Sequence, residues 1–489
     1  MYLYELLDGV NVISSDIDLK TNISRPFSDS RRAVLGGLFV AIKGEHRNGN
    51  EYIEMAFSNG AACVVTDDTE VRGKYGNSIL VDNARESLSN IWHNFYKKPT
   101  KALEIIAITG TNGKTSCAYY LYNILRKAGK NCGLISTIEC LINGVPLSTN
   151  GGSEVCDIAS AMTTPDPEIL YYIFNEMKEK GVKYVVMEAS SHSLSQSKLA
   201  PISFSYGIFT NLSPEHMDYH KDMESYYLAK KSLFSKTRRA IVNADDSYGN
   251  RLSREIEAVK CSIKGNGDFN AIDIYLDEKG CDYILKHERA QINIKGRICG
   301  EFSVYNTMLA SACALDMGLE IDKVREGIFI TDRISGRLER IRNNIFIDYA
   351  HTPQAMKSVL ETLRKIAPNK RIISLFGCGG DRDREKRPKM GKIATLLSDY
   401  TIITEDNSRS EPRVNIFRDI LCGVEELSTF CLIPDRREAI KYAISALGEN
   451  DIFVLFGKGH ENYEINKNGK AYFCERDIIN SILKENQQS

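Results

Sequence analysis

At 489 residues the chain is too long for one hydrophobic core and should divide into about three domains. With 43% hydrophobic residues, 26% charged residues and a formal net charge of −1, it reads as a soluble globular protein. No global basic field is available for nucleic acid or an acidic membrane, so small anionic ligands must be held by local clusters.

The first predicted unit spans residues 1–100. Its opening, Met1-Tyr-Leu-Tyr-Glu-Leu-Leu-Asp-Gly9, carries acids and no basic segment, so it does not read as a secretory signal. The apolar stretch 33–42 is about half of the ~20 residues needed to cross a bilayer, and no membrane insertion is expected. Thirteen cysteines show no Cys-x-x-Cys pair and no Cys/His metal spacing. They read as reduced thiols of a cytoplasmic protein, not as disulfides or structural zinc. Residues 38–42 and 60–65 read as strands around a helix at 51–58. Ser28-Asp-Ser-Arg31 lies on a loop, where such residues ordinarily form turns. A hinge at Lys97-Lys-Pro-Thr100 ends the unit.

The second unit, 101–333, begins with the most informative stretch of the chain. Residues 105–108 read as a buried strand, Gly110-Thr-Asn-Gly-Lys-Thr115 as a tight loop, and 117–127 as a helix. Strand, glycine loop and helix turn backbone N–H groups toward a polyphosphate, with Lys114 at the terminal phosphates and the Thr115 hydroxyl at Mg²⁺. The spacing departs from the commonest P-loop, because position 108 is Ile and the first glycine is Gly110. Further strands at 183–188, 206–210 and 240–243 end in polar residues. Ligands gather beyond the carboxyl ends of strands in an open parallel sheet, so Glu188, Asn211 and the Gly110 loop should share a crevice. A carboxylate and an imidazole there, Glu188 and His216, suit a divalent ion on ATP phosphates, although Mg²⁺ prefers oxygen. Lys230 falls on a helical stretch, 226–234.

The third unit, 334–489, alternates strands at 345–348, 371–376, 400–404 and 451–456 with helices, the pattern of a doubly wound sheet. Each strand ends in chemistry: Asp348-Tyr-Ala-His351, Gly377 to Asp383, Glu405-Asp-Asn-Ser-Arg409 and Gly457-Lys-Gly-His-Glu461. Arg382, Arg384, Arg387 and Arg409 could hold carboxylates by bidentate pairing. The expected fold class is thus α/β in three domains: a small N-terminal α/β domain, a central P-loop-type ATPase domain with a mainly parallel sheet, and a C-terminal Rossmann-like domain.

Gly110-Thr-Asn-Gly-Lys-Thr115, Thr163-Thr-Pro165, Glu188-Ala-Ser-Ser-His192, residues 211–220, Asn243-Ala-Asp-Asp246, Gly336-Arg-Leu-Glu339, Asp348-Tyr-Ala-His-Thr-Pro353 and Gly457-Lys-Gly-His-Glu461 occur in one order. In that order they resemble the Mur ligases, over essentially the whole chain and including Asp29-Ser-Arg31. The resemblance implies ATP-driven amide formation. A substrate carboxylate attacks the γ-phosphate to give an acyl phosphate, and an amine then displaces phosphate. It implies ATP contacts at Gly110, Thr111, Asn112, Gly113, Lys114, Thr115, Ser116, Asn306, Arg337 and Asp348. It implies Mg²⁺ at Thr115, Glu188, His216 and Lys230, the last as a carbamate, because a free ammonium would repel the ion. Lys114, Glu188, His216 and Lys230 are thereby the expected catalytic set. The implied domains are an N-terminal UDP-sugar-binding, a central ATP-binding and a C-terminal amino-acid-binding domain. Ser30, Thr163, Thr164, Ser191, Gln196 and Lys198 match positions near a UDP-MurNAc-dipeptide. Lys198 stands where some relatives have arginine and lacks its bidentate fork.

Arg382, Asp406, Asn407, Arg409, Gly457 and Glu461 match positions that hold the incoming amino acid. Family members that add meso-diaminopimelate resemble one another in Asp-Asn-Pro-Arg, and here the segment is Asp406-Asn-Ser-Arg409. The arginine suits a second carboxylate and would repel the ammonium of L-lysine, so a diamino acid of the meso-diaminopimelate kind is expected on UDP-MurNAc-L-Ala-D-Glu. L-Lysine or another amino acid is the alternative substrate, and a folylpolyglutamate synthetase-like ligase or a non-catalytic nucleotide scaffold are the alternative proteins. A monomer is expected, with no nucleic-acid partner.

Overall fold

The computed structural model describes residues 1–44, 47–147, 162–342 and 344–488. Among the described residues three large sheets succeed one another along the chain, followed by the two-stranded hairpin Tyr463–Asn466, Gly469–Tyr472. The first has five strands in the order Val12–Ser15, Ser78–Val81, Ala61–Thr66, Gly37–Val40, Pro26–Phe27. The expected helix at 51–58 is a one-turn 3₁₀ segment, Gly49–Tyr52, running into the α-helix Ile53–Ser58. The Asp29-Ser-Arg31 loop closes into a 3₁₀ turn, Ser30–Arg32, because the Asp29 carboxylate accepts the Arg31 backbone N–H.

The second sheet has eleven strands. At its centre Glu104–Thr109 lies between Phe204–Phe209 and Tyr184–Glu188, all parallel. Ile105 to Thr109 are wholly buried, as expected of a strand covered on both faces. Chain order reverses across Glu104–Thr109, so the loop that follows it opens at a switch point of the sheet. The expectation of a mainly parallel sheet holds for this core. It misses the antiparallel margins, above all the meander Phe269–Asp277, Gly280–His287, Ala290–Gly296. Those strands alternate buried and open residues with period two, having one face in water.

The third sheet runs Glu339–Arg342, Ile345–Asp348, Asp451–Phe456, Arg371–Phe376, Tyr400–Ile403, Phe430–Leu432, parallel except at its first strand. Three of the four strands expected here coincide with those observed, and the fourth ends one residue early.

Core packing divides the molecule differently from the sheets. One apolar cluster runs from Leu3 to Leu252 and contains Trp92 of the first unit with Leu170, Tyr171 and Phe174 of the second. The third unit has its own two clusters, to which the second contributes Cys299 and Phe302. Cysteines from Cys63 to Cys378 are buried in these cores, and Cys156 lies outside the described residues. No described helix is long and apolar enough to cross a membrane.

Candidate active site

The loop after Glu104–Thr109 is built by two glycines. Gly110 has φ +150°, and a Cβ there would sit 1.9 Å from Thr210 Oγ1. Gly113 has φ +83°, with Asn306 Oδ1 2.4 Å from where a Cβ would be. Gly113 also forms the N-terminal cap of the helix Lys114–Lys127, which therefore starts three residues before the expected 117. The loop is tied down by Asn211, whose Oδ1 accepts the Asn112 N–H (3.0 Å) and whose carbonyl accepts the Thr111 N–H (2.9 Å).

Two lysines converge on this loop. Lys114 Nζ donates to the carbonyls of Gly110 (2.9 Å) and Thr111 (2.8 Å), and Lys230 Nζ donates to Gly110 O (2.8 Å). Lys230 is 1% exposed, under the Tyr226 ring at 4.6 Å. Burial, reinforced by the Lys114 charge, depresses its pKa well below that of an ordinary lysine. The expected metal-binding residues only partly meet. Thr115 Oγ1 donates to Glu188 Oε2 (3.1 Å), and Thr137 gives Glu188 its N–H (2.8 Å) and hydroxyl (3.1 Å). His216, in left-handed backbone at φ +58°, keeps company with Glu215 (3.9 Å) and the His192 ring (4.7 Å) instead. Partial burial and the nearby lysines hold its pKa at about 4, so its imidazole is neutral at physiological pH.

Glu215 is a residue the sequence reading passed over. Burial opposes its charge, but His351, His216, Lys114 and Lys230 together hold its pKa below the usual carboxylate range. Its Oε1 lies 3.6 Å from His351 Nε2 of the third unit. No three described His, Cys, Asp or Glu side chains converge as a metal cage. The donors nevertheless fit Mg²⁺, which uses one or two carboxylates plus phosphate and water oxygens. Glu188 is a fully buried carboxylate with the Thr115 hydroxyl against it. Lys230 as an ammonium offers the ion nothing.

A cavity of about 320 Å³ adjoins the loop between the second and third units, lined among others by Asn112, Ser116, Asn306, Arg337 and Asp348. The Asp348 carboxylate accepts the N–H groups of Leu338 (2.6 Å) and Ala350 (2.7 Å), fixing the segment that carries Arg337. Arg337 in turn donates to Thr115 Oγ1 at 3.0 Å.

A second cavity, of about 310 Å³, lies between the first and second units. Arg25, Arg32, Arg85 and Lys198 give it a cationic lining, beside Trp92 and Gln196. Lys198 is held by Asp166 (2.7 Å), and Arg25 and Arg32 share Glu168. Thr164 Oγ1 accepts the Ser190 N–H and donates to the Glu188 carbonyl. The Thr163 and Thr137 hydroxyls lie 3.1 Å apart, and Ser191 Oγ meets His220 Nε2 at 2.9 Å. Thr164 thus bridges the Glu188 strand end, whereas Ser30 is buried against Met55 Sδ in the first unit.

The strand ends of the third unit form the last part. Arg409, at φ +52°, aims Nη1 at the Gly380 carbonyl (2.8 Å), and Arg382 packs beside it across Gly379. Asn407 Nδ2 donates to Glu461 Oε2 (2.8 Å). Gly457, at φ +106°, leaves no room for a side chain, since a Cβ would lie 2.5 Å from Asp406 Oδ2. Burial opposes the Asp406 charge, yet Lys458 and Arg436 keep its pKa below the usual carboxylate value. Arg384 and Arg387 do not join this group. They pair with Asp419 and Glu411, and Arg387 is fully buried.

A run of contacts joins both ends of the cleft: Thr115 to Arg337, Arg337 over the Tyr349 ring (5.2 Å), Tyr349 against His460 (4.8 Å), and Glu461 to Asn407. Comparison with known proteins agrees with this architecture. Residues 108–314 match the Mur ligase middle domain, and 336–459 match the Mur ligase, glutamate ligase domain. The chain is 38% identical to the UDP-N-acetylmuramoyl-L-alanyl-D-glutamate–2,6-diaminopimelate ligase of Clostridioides difficile strain 630, over 99% of this chain and 100% of that one. A solved structure of a ligase of the same name superposes with a TM-score of 0.69 at 27% identity, over the full length of both chains. Folylpolyglutamate synthase of Mycobacterium tuberculosis shares the fold, with a TM-score of 0.63 at 18% identity over 76% of this chain and 92% of that one.

Proposed function

The chain belongs to the Mur ligase family, and from that premise we propose that it is an ATP-dependent ligase joining meso-diaminopimelate to UDP-N-acetylmuramoyl-L-alanyl-D-glutamate, in peptidoglycan precursor synthesis. The observation that carries the reading is the run of contacts Thr115–Arg337–Tyr349–His460, continued through Glu461 to Asn407, which connects the glycine loop with the loop that bears Arg409. The Asp406-Asn-Ser-Arg409 arginine beside Arg382 supplies paired cations for a second carboxylate on the incoming amino acid.

In this reading Gly110 to Ser116, with Asn306, Arg337 and Asp348, hold ATP. The glycine loop turns its N–H groups and the Lys114 ammonium to the phosphates, where Lys114 exchanges its two carbonyl partners for phosphate oxygens. Thr115, Glu188, His216 and a carbamoylated Lys230 would hold Mg²⁺, which neutralises phosphate charge when bound. The lowered pKa of Lys230 favours the neutral amine, the form that adds CO₂, losing a proton and gaining the anionic oxygens the ammonium lacks. The D-glutamate carboxylate attacks the γ-phosphorus and ADP leaves. The amine of the amino acid then attacks the acyl carbon, phosphate departs, and the amine proton goes to solvent. Catalysis is mostly positioning and charge neutralisation.

The division at residues 100 and 333 assigns the UDP-sugar to the first unit and the amino acid to the last. Ser30, Thr163, Thr164, Ser191, Gln196 and Lys198 face the sugar-peptide; Arg382, Asp406, Asn407, Arg409, Gly457 and Glu461 face the amino acid. The enzyme acts as a cytoplasmic monomer. Phosphate release with ATP, UDP-MurNAc-L-Ala-D-Glu and amino acids offered one at a time tests the reading. Turnover with meso-diaminopimelate supports it. Turnover only with L-lysine, or only with folate and glutamate, or with no amine, replaces it by the corresponding alternative.

A further inference from the structure

Lys458 lies beneath the amino-acid pocket, 1% exposed, on the loop after Asp451–Phe456. Its ammonium donates to Asn407 Oδ1 (3.0 Å) and to the Tyr463 carbonyl (2.8 Å), and stands 3.8 Å from Glu461 Oε2. The Ile465 N–H also donates to Asn407 Oδ1 (2.9 Å). Both lone pairs of that oxygen are thus filled, and the amide has one orientation, with Nδ2 toward Glu461 (2.8 Å). Ile465 belongs to the hairpin strand Tyr463–Asn466, whose carbonyl at 465 accepts the Arg409 N–H (3.0 Å). One buried cation therefore ties together the Asp406–Arg409 loop, the Gly457–Glu461 loop and the hairpin.

We propose that Lys458 is a positioning residue for the incoming diamino acid: it locks the Asn407 amide and, through it, the Glu461 carboxylate that would hold a substrate ammonium. This role rests on the ligase reading given above. Glu461 is faced by Asp406, Asn407 and Arg409 from one loop, by Lys458 from its own, by Tyr463 from the hairpin, and by Tyr349 beyond Ile345–Asp348. Burial, then the Asp406 charge, already push the Glu461 pKa up, and Lys458 opposes them. Removing Lys458 leaves these two neighbouring carboxylates with one cation fewer.

Lys458→Gln keeps a donor for Asn407 and loses the charge; Lys458→Met loses both. At pH 7 both are expected to raise the KM for meso-diaminopimelate at least about tenfold over wild type, with the KM for ATP within twofold. Lys458→Gln, which can still donate to Asn407 Oδ1, should lose less than Lys458→Met. Glu461→Gln combined with Lys458→Gln should be far less than multiplicative, because the uncharged carboxamide no longer needs the cation. KM ratios near one for both variants, equal losses for ATP and amino acid, or a multiplicative double variant would overturn the role. So would loss of folding in both single variants, which would make Lys458 a purely structural residue. Wild type without meso-diaminopimelate turnover would instead refute the ligase reading itself.

Discussion

Arg337 of the third unit donates a 3.0 Å hydrogen bond to the hydroxyl of Thr115, at the first turn of the helix after the glycine loop. The same hydroxyl donates to the buried Glu188 carboxylate. The guanidinium thereby reports to the last unit on the state of the phosphate site. Arg337→Ala is expected to weaken ATP by about 10–100-fold, the usual worth of a hydrogen bond to a charged group, and to lower kcat as well. Isothermal titration with a non-hydrolysable ATP analogue checks the first effect; unchanged affinity would leave Arg337 without a nucleotide role.

Lys230→Ala should be nearly inactive and partly rescued by a short carboxylic acid that restores an anion at the vacated position. Wild-type activity should also fall in CO₂-free buffer and return with bicarbonate. Full activity of Lys230→Ala without rescue would show that no carbamate is needed.

Arg409→Ala should raise the KM for meso-diaminopimelate by about 10–100-fold while the KM for ATP holds, through loss of a charge-assisted carboxylate contact. An equal loss for every amino acid tested would contradict that selectivity.

Gly110→Ala places a methyl group 1.9 Å from Thr210 Oγ1 in left-handed backbone. A loss of about 1–3 kcal/mol in stability is expected from overpacking, with ATP binding abolished. Urea unfolding and nucleotide titration read the two effects separately.

Glu411 has its pKa lowered from 4.5 to about 2, first by its hydrogen bonds from Arg387. A carboxylate with a depressed folded pKa stabilises fully above its unfolded value and stops doing so as pH falls through the folded one. Glu411→Gln should therefore cost stability at pH 5–7, with the gap to wild type closing between about pH 4.5 and pH 2. A gap independent of pH in urea titrations would exclude the ion pair as its source.

Much of this was legible in the chain itself. Strands such as Ile345–Asp348, which stops at an acid, and Asp451–Phe456, which stops before Gly457, are short apolar runs, so both their extent and the chemistry at their ends can be read locally. The meander 269–296 was missed because a one-sided sheet alternates and breaks the expected βαβ rhythm. Glu215 was missed for a different reason. Beside His216 it looks like any loop acid, and only the packing of the third unit brings His351 to its carboxylate. Lys458, inside a motif read for its glycines and glutamate, gave no sign that its side chain would be buried. His216, expected with Glu188 near a divalent ion, stands in left-handed backbone beside Glu215 and His192.

The apolar cluster from Leu3 to Leu252 fuses the first two units, while the third meets the second through Cys299 and Phe302 and through polar groups such as Arg337, His351 and the Lys370–Glu278 pair. On the proposed assignments, the acid to be activated and the triphosphate are held by one continuous apolar core, and the nucleophile comes to them across a boundary rich in ions and hydroxyls, where water can stand in for a polar partner.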